Sequence, residues 1–226
     1  MMLSLIRDNL DFFLLGSGPG PGGFVLTLLM SLAAGLAASV LGLAGGIALT
    51  VGGRSVVMAL EAATAVLRAI PVVMLIFWCY FLLPVVFGID VPGIATVIAA
   101  LALISGAYLA QSVRAGIAAI GRGQWEAGRS LGLGTRKVLT LIILPQALRV
   151  MLPSFVNQWV TLVKDTSLAY VVGVAELTFV ATQVNNREQV YPLEIFAFIG
   201  LMYFLLCSSL SLLGRLAGRK WPVRAA

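Results

Sequence analysis

Long uncharged runs separated by short polar interruptions set the pattern of this chain. From Phe24 to Val51 no charged residue occurs, a length that crosses ~30 Å of hydrocarbon as a helix. Further apolar runs extend from Pro71 to Phe87, Gly93 to Gln111, Ile142 to Val163 and Leu193 to Leu213. The fourth run holds Pro145 and Pro153, which predict a broken, irregular helix. After Lys164–Ser167 it resumes to about Val180. Because backbone polar groups must be satisfied internally in lipid, the pattern predicts an all-α integral membrane protein with about five transmembrane helices.

The interruptions divide the chain. Met1–Leu15 reads as a short amphipathic lead-in and Gly16–Gly23 as a glycine–proline breaker, so residues 1–23 precede a membrane domain at 24–213. Gly52–Ser55 and Gly88–Pro92 are turns, and an amphipathic piece with Glu61 and Arg68 lies between them. Arg114–Lys137 is too charged for lipid, Thr182–Pro192 reads as a polar loop, and residues 214–226 form a basic tail. Within the first span Ala34, Ala38, Gly42 and Gly46 recur every four residues, giving one smooth face for close helix packing.

Composition agrees with this pattern. Hydrophobic residues make up 60% of the chain and charged ones 11%, against about a quarter charged in soluble domains. The net charge of +6 is not a nucleic-acid footprint, because the basic residues sit in short segments between apolar runs. They set orientation instead. With the C-terminus cytoplasmic and five spans, twelve basic residues fall inside and two, Arg7 and Arg187, outside. The N-terminus is then extracytoplasmic. Asp8 and Asp11 interrupt the first apolar run, so no cleavable leader is expected and the spans direct insertion. No histidine is present, and Cys79 and Cys207 lie apart in apolar runs, which excludes a zinc site or a disulfide framework.

The cytoplasmic segment carries the most informative pattern. Gln124–Gly132 reads QWEAGRSLG, followed by Ile142–Ala147, IILPQA. Helical rotation sets Glu126 beside Arg129 and Ser130, and the small Ala127 and Gly128 permit close contact with a partner. Gly132 stands where the chain leaves the helix, a position that favours left-handed geometry. Pro145 lacks an N–H that a helix start leaves unpaired anyway. This spacing resembles the cytoplasmic loop of bacterial ABC importer permeases, which reads E-A-A, three residues, G, nine residues, I-x-L-P. Glu126, Ala127, Gly132, Ile142, Leu144 and Pro145 match it, and Gly128 replaces the second alanine, a small-for-small exchange expected to leave the packing intact. Glu61-Ala62-Ala63 lacks the following glycine and is a decoy.

Three more blocks narrow the resemblance to the polar amino-acid branch. Arg68-Ala69-Ile70-Pro71 is similar to R-x-x-P. Ala107–Gly116, with Tyr108, Arg114 and Gly116, is similar to A-Y-x-x-E-x-x-R-x-G, except that Gln111 replaces the glutamate. Lys164–Leu168 reads KDTSL, followed by Glu176-Leu177. The wording near Pro71–Pro84 is closest to glutamate/aspartate permeases. The resemblance implies a type I importer permease fold with a coupling helix in the 114–145 loop, a bacterial inner-membrane location, and a polar amino-acid substrate. It also implies two ABC ATPase subunits, a second permease copy or homologue, and a periplasmic solute-binding protein. ATP and Mg would be bound by the ATPase, not by this chain.

Independently of any family, Lys164, Asp165, Thr166 and Ser167 interrupt apolar sequence, with Asn157 two helical turns earlier. Charges in a bilayer cost at least ~2.5 kcal/mol each on insertion scales and face a cavity or each other. The cluster therefore reads either as a substrate-path lining or as a structural pair. No G-x-x-x-x-G-K-[S/T] loop occurs, so ATP hydrolysis requires a separate subunit. A secondary transporter or channel is the alternative, but it needs coupling carboxylates, and Asp165 reads as the only acid within the spans. No nucleophile–base pair or metal cluster suggests an enzyme.

Overall fold

The computed structural model describes residues 6–16, 18, 20–88 and 91–220. Nine helical elements suffice to follow it. They are α1 (Leu10–Leu15), α2 (Gly23–Val51), α3 (Arg54–Ala69), α4 (Val72–Phe87), α5 (Gly93–Ala118), α6 (Arg122–Ser130), α7 (Thr135–Val172), α8 (Leu177–Glu188) and α9 (Pro192–Lys220). No β-strand occurs among the described residues; the single isolated bridge pairs Gly23 with Glu176.

The small-residue stripe of α2 is the central seam. Gly42 lies against Leu109, Gly45 against Ala110 and Gly46 against Val113, so a side chain on any of them would press into α5. Both numbers rise together, which makes α2 and α5 parallel. The chain must therefore return between them, and the pair α3–α4 makes that return although it bends by 102°. Contacts between Gly116 and Met151, and between Gln158 and Ser105 at 3.2 Å, make α7 antiparallel to α5. Gly214 against Val156, and Cys207 beside Val160, make α9 antiparallel to α7. The crossings alternate through α2, α3–α4, α5, α7 and α9, as the five-span reading expects.

Three apolar clusters fill the bundle. The largest joins α2, α4, α5 and the upper part of α7 around Met30, Ile76, Leu101 and Leu162. A second, with Phe13, Leu177, Val180 and Ile195, binds α1, α8 and α9 at one end. A third, with Val113, Val138, Ile143 and Met151, lies beneath α6 at the other.

The expected break at Pro145 is absent. Five residues of π-helix, Leu139–Ile143, precede it, and the same geometry at Trp78–Leu82 precedes Pro84. A proline ring collides with the carbonyl four residues earlier, and a widened turn relieves that collision while the helix continues. Pro153 also lies inside continuous helix, so α7 runs for 38 residues. Its last turns tighten to a 3-10 helix, Thr166–Val172, and it stops at Gly173 with φ 76°. The apolar segment expected to continue to Val180 therefore ends earlier, and much of the expected 182–192 loop belongs to α8. The lead-in and tail are described only in part: α1 is helical, Gly214–Lys220 belongs to α9, and residues 1–5 and 221–226 lie outside the described residues.

Candidate functional site

The segment Arg122–Pro145 folds into an elbow of two helices. α6 closes with the left-handed turn that Gly132 was expected to supply, at φ 74°. Leu133 N–H donates to the Gly128 carbonyl at 3.2 Å and Gly132 N–H to that of Arg129 at 2.9 Å, the paired bonds of a glycine-terminated helix. The elbow is held to the bundle by Gly128, which is buried against the start of α7. A Cβ there would lie 2.8 Å from a Val138 methyl and 3.0 Å from Ile142 Cδ1. The glycine thus sits in close packing, which a small residue at this position allows. It is matched to Val138, a branched side chain with little room to retreat.

Most of the remaining motif residues point away. Glu126, Ala127 and Pro145 are exposed, and Leu131 at the tip of the elbow is 78% exposed. An exposed leucine next to a fixed turn is a feature that polarity-based reading passes over. Beside it a groove of about 450 Å³ is lined by Arg122, Trp125, Glu126 and Arg129, with the end of α2 at Thr50 and Val51 as its far wall. Ile142 and Leu144 are half-buried, and the Ile142 carbonyl accepts from Gln146 Nε2 at 2.7 Å.

Two motif blocks far apart in sequence meet on α3 and α5. Arg68 lies over the Tyr108 ring at 5.9 Å, and the Tyr108 hydroxyl donates to the Arg68 carbonyl at 3.4 Å. One turn on, Gln111 Nε2 donates to Thr64 Oγ1 at 3.0 Å, and next Arg114 pairs with Glu61. The three rungs explain the departure at Gln111. Its amide donates to a hydroxyl, and the carboxylate beside Arg114 comes from Glu61. Glu61 is indeed no part of the elbow, but it is a partner of the second block. Pro71 stands at the α3–α4 bend, and Gly116 lets α5 approach Met151.

The 157–167 group is not assembled into one cluster. Thr166 is buried and donates to the Val163 carbonyl at 2.6 Å, while Ser167 donates to that of Lys164 at 2.6 Å. Lys164 is exposed and Asp165 half-buried, with no ion pair between them. Asn157 is exposed on the α7 face that turns toward α9.

Glu176, which the sequence offered only as part of a family block, is fully buried before α8. Its Oε1 accepts from Phe179 N–H at 3.0 Å; Oε2 accepts from Thr178 N–H at 2.9 Å and from the Tyr203 hydroxyl at 2.9 Å. Asp165 is therefore not the sole acid in the apolar part of the chain. Burial pushes the Glu176 carboxyl up to about 7, against the opposing pull of its hydrogen bonds. Nearby, Leu177 N–H donates to Thr27 Oγ1 at 3.2 Å and Gly23 N–H to the Ala175 carbonyl at 2.8 Å. The signal was Glu176 itself, a lone carboxylate amid apolar residues just before a helix.

Four helices long and apolar enough to cross a membrane, five crossings with the bent α3–α4 pair, and a two-helix elbow at one end define a polytopic membrane subunit. The comparisons make the assignment specific. Residues 38–221 match the family described as binding-protein-dependent transport system inner membrane component, and the chain belongs to that family. It is 35% identical to the glutamine transport system permease protein GlnP of Escherichia coli (strain K12), over 86% of this chain and 87% of that one. Against the probable glutamine ABC transporter permease protein GlnP of Bacillus subtilis (strain 168) the identity is 40%, over 66% and 69%. The fold matches a solved amino acid ABC transporter with histidines at TM-score 0.85 and 27% identity, covering 97% of this chain and 98% of that one. The MetNI methionine ABC transporter shares the fold at TM-score 0.72 and 22% identity, over 88% and 94%.

Proposed function

We propose that this chain is the membrane path of an ATP-driven importer for polar amino acids, with glutamate or aspartate as candidate cargo. ATP is hydrolysed elsewhere, in two ATPase subunits that dock on the α6–α7 elbow. A second permease copy or homologue completes the pathway, and a periplasmic binding protein delivers the substrate. The observation that carries the reading is the elbow itself. Glu126, Ala127 and Leu131 are held outward by a turn that Gly132 fixes, with a groove beside them and no side-chain partner among the described residues. A polar path through the bundle is supported by Ser154, Asn157, Thr161 and Lys164, polar residues exposed along one face of α7.

The test is reconstitution with a candidate ABC ATPase subunit. Glu126→Lys and Leu131→Asp should lower ATPase co-purification and uptake while leaving insertion intact. Unchanged association and uptake in both variants would overturn docking at the elbow. Cysteine labelling tests the orientation. A cysteine at Asn186 should react from outside, and one at Arg122 only after permeabilisation.

A further inference from the structure

The path proposed above has one described wall, the face of α7 that carries Ser154, Asn157, Thr161 and Lys164. Contacts fix the direction in which that face turns. On α7, Gln158 reaches Ser105 of α5 and Trp159 reaches Ser39 of α2. At about 100° per residue, Asn157 stands as far round from Gln158 as Trp159 does, but on the side away from α2. On α5, Leu109 meets α2 at Gly42 and lies about 40° round from Ser105. Tyr108 lies about 60° round from Ser105 in the other sense, so it too turns away from α2. Asn157 and Tyr108 therefore face the same open side of the α5–α7 pair, and both are exposed there.

Arg68 brings a charge to that side. It is exposed, its guanidinium lies over the Tyr108 ring at 5.9 Å, and its Nε donates to the Thr64 carbonyl at 3.2 Å. Among the described residues no carboxylate pairs with it, whereas Arg114 in the same helix pair has Glu61. Depth makes the omission costly. Tyr108 stands ten residues, about 15 Å, from the inner end of α5 at Ala118, and further still from the outer end at Gly93. Charges within a span are paired or face a cavity. An aromatic face steers a cation but leaves its charge uncompensated.

We propose that Arg68 is a cargo-binding residue, its guanidinium taking the α-carboxylate of the amino acid in transit on the side of the path opposite Asn157. This rests on the importer reading above and adds a second wall to its path. A guanidinium fork matches a carboxylate in two parallel hydrogen bonds. The α-carboxylate is the acid group that all polar amino acids share, so one fixed arginine serves any of them. A carboxylate from a second permease copy is the other partner available to a guanidinium at this depth. It would keep Arg68 paired whether or not cargo is present, and that difference is measurable.

The transporter, purified with its partner subunits, is treated with phenylglyoxal, which modifies accessible guanidinium groups, and each arginine is followed by peptide mass spectrometry. An equimolar mixture of polar amino acids should slow modification of Arg68 at least fivefold and leave Arg54, exposed at the start of α3, unchanged. The matching mixture of amino-acid α-amides should not protect. In proteoliposomes Arg68→Gln should lower uptake at least tenfold with ATPase co-purification kept, and Arg68→Lys, which keeps the charge but not the fork, should fall between. If Arg68→Gln does not co-purify with its partners, protection of the unmutated transporter decides alone. Equal modification of Arg68 with and without amino acids, in a preparation that takes them up, would overturn the proposal and leave the importer reading standing. So would protection by the α-amides, or an Arg68 that stays unmodified in every condition, which assigns it to a partner carboxylate. Absence of ATP-driven uptake by the unmutated transporter sinks the importer reading, and this proposal with it.

Discussion

Glu176 and the Lys164–Ser167 block are polar interruptions of the same apolar stretch, and the fold treats them in opposite ways. Around Glu176 the chain supplies every partner: two backbone N–H groups and the Tyr203 hydroxyl, drawn from α8 and α9. At Lys164 and Asp165 no ion pair forms among the described residues, and the lysine is left exposed. A polar group completed inside its own chain belongs to the architecture. One left open on a membrane helix faces water, cargo or another subunit. Mutation should separate the two classes, because the first should change stability and the second uptake.

The largest effect is expected at Glu176. Glu176→Ala strands two N–H groups and a hydroxyl in a buried site, at about 1–3 kcal/mol each. Thermal unfolding of the purified subunit should show a drop of roughly 3 kcal/mol or more; a drop confined to uptake would erase the contrast. The pH dependence is next in size. The folded carboxyl titrates at about 7, above its ordinary 4.5. Between these values the folded state keeps a proton that the unfolded state has lost, so stability falls as pH rises through that window. The contribution is fully present below about 4.5 and lost above about 7, amounting to roughly 3 kcal/mol at one pK unit per 1.36 kcal/mol. Chemical unfolding from pH 5 to pH 8 should show the decline, and Glu176→Gln should flatten it.

The elbow sits between these extremes, being internally locked yet turned outward. Gly132→Val forces a branched side chain to φ 74°, at a cost of about 1–3 kcal/mol, and should weaken ATPase association more than it lowers stability. Gly128→Ala presses on Val138 and should be rescued by adding Val138→Ala, measured as recovered uptake in the double variant. Smallest in stability are Lys164→Met and Asp165→Asn, expected within about 0.5 kcal/mol of the parent while uptake falls. Full uptake by the double variant would make the pair structural and end the contrast with Glu176.

The elbow was legible because its parts are contiguous. Glu126 to Pro145 carries the turn glycine, the small contact residues and the following proline at fixed spacing, and local geometry decides their placement. The α2 stripe was legible for the same reason, as a helical period written in small residues. The rungs joining Arg68 to Tyr108, Thr64 to Gln111 and Glu61 to Arg114 were not. Each motif was visible, but only the antiparallel pairing of α3 and α5 says which members meet. The seats of Trp159 on Ser39, at 3.1 Å, and of Gln158 on Ser105 depend in the same way on which face of α7 turns inward. Pro145 was misread because a proline's effect depends on whether the preceding turn widens, and hydrophobic pattern does not encode that choice.

The widened turn at Leu139–Ile143 accommodates an extra residue in α7. A π turn holds one residue more than the α turn it replaces, in which each residue turns the helix by about 100°. Removing one residue there, the exposed Leu141 for instance, would let the helix close to ordinary α geometry with the flanking turns nearly in phase, because a π turn rotates less per residue. Gly128 and Val138 both precede the turn and would keep their contact. The widened turn thus takes up a single extra residue beside Pro145 while the elbow's aim toward whatever docks on it is kept.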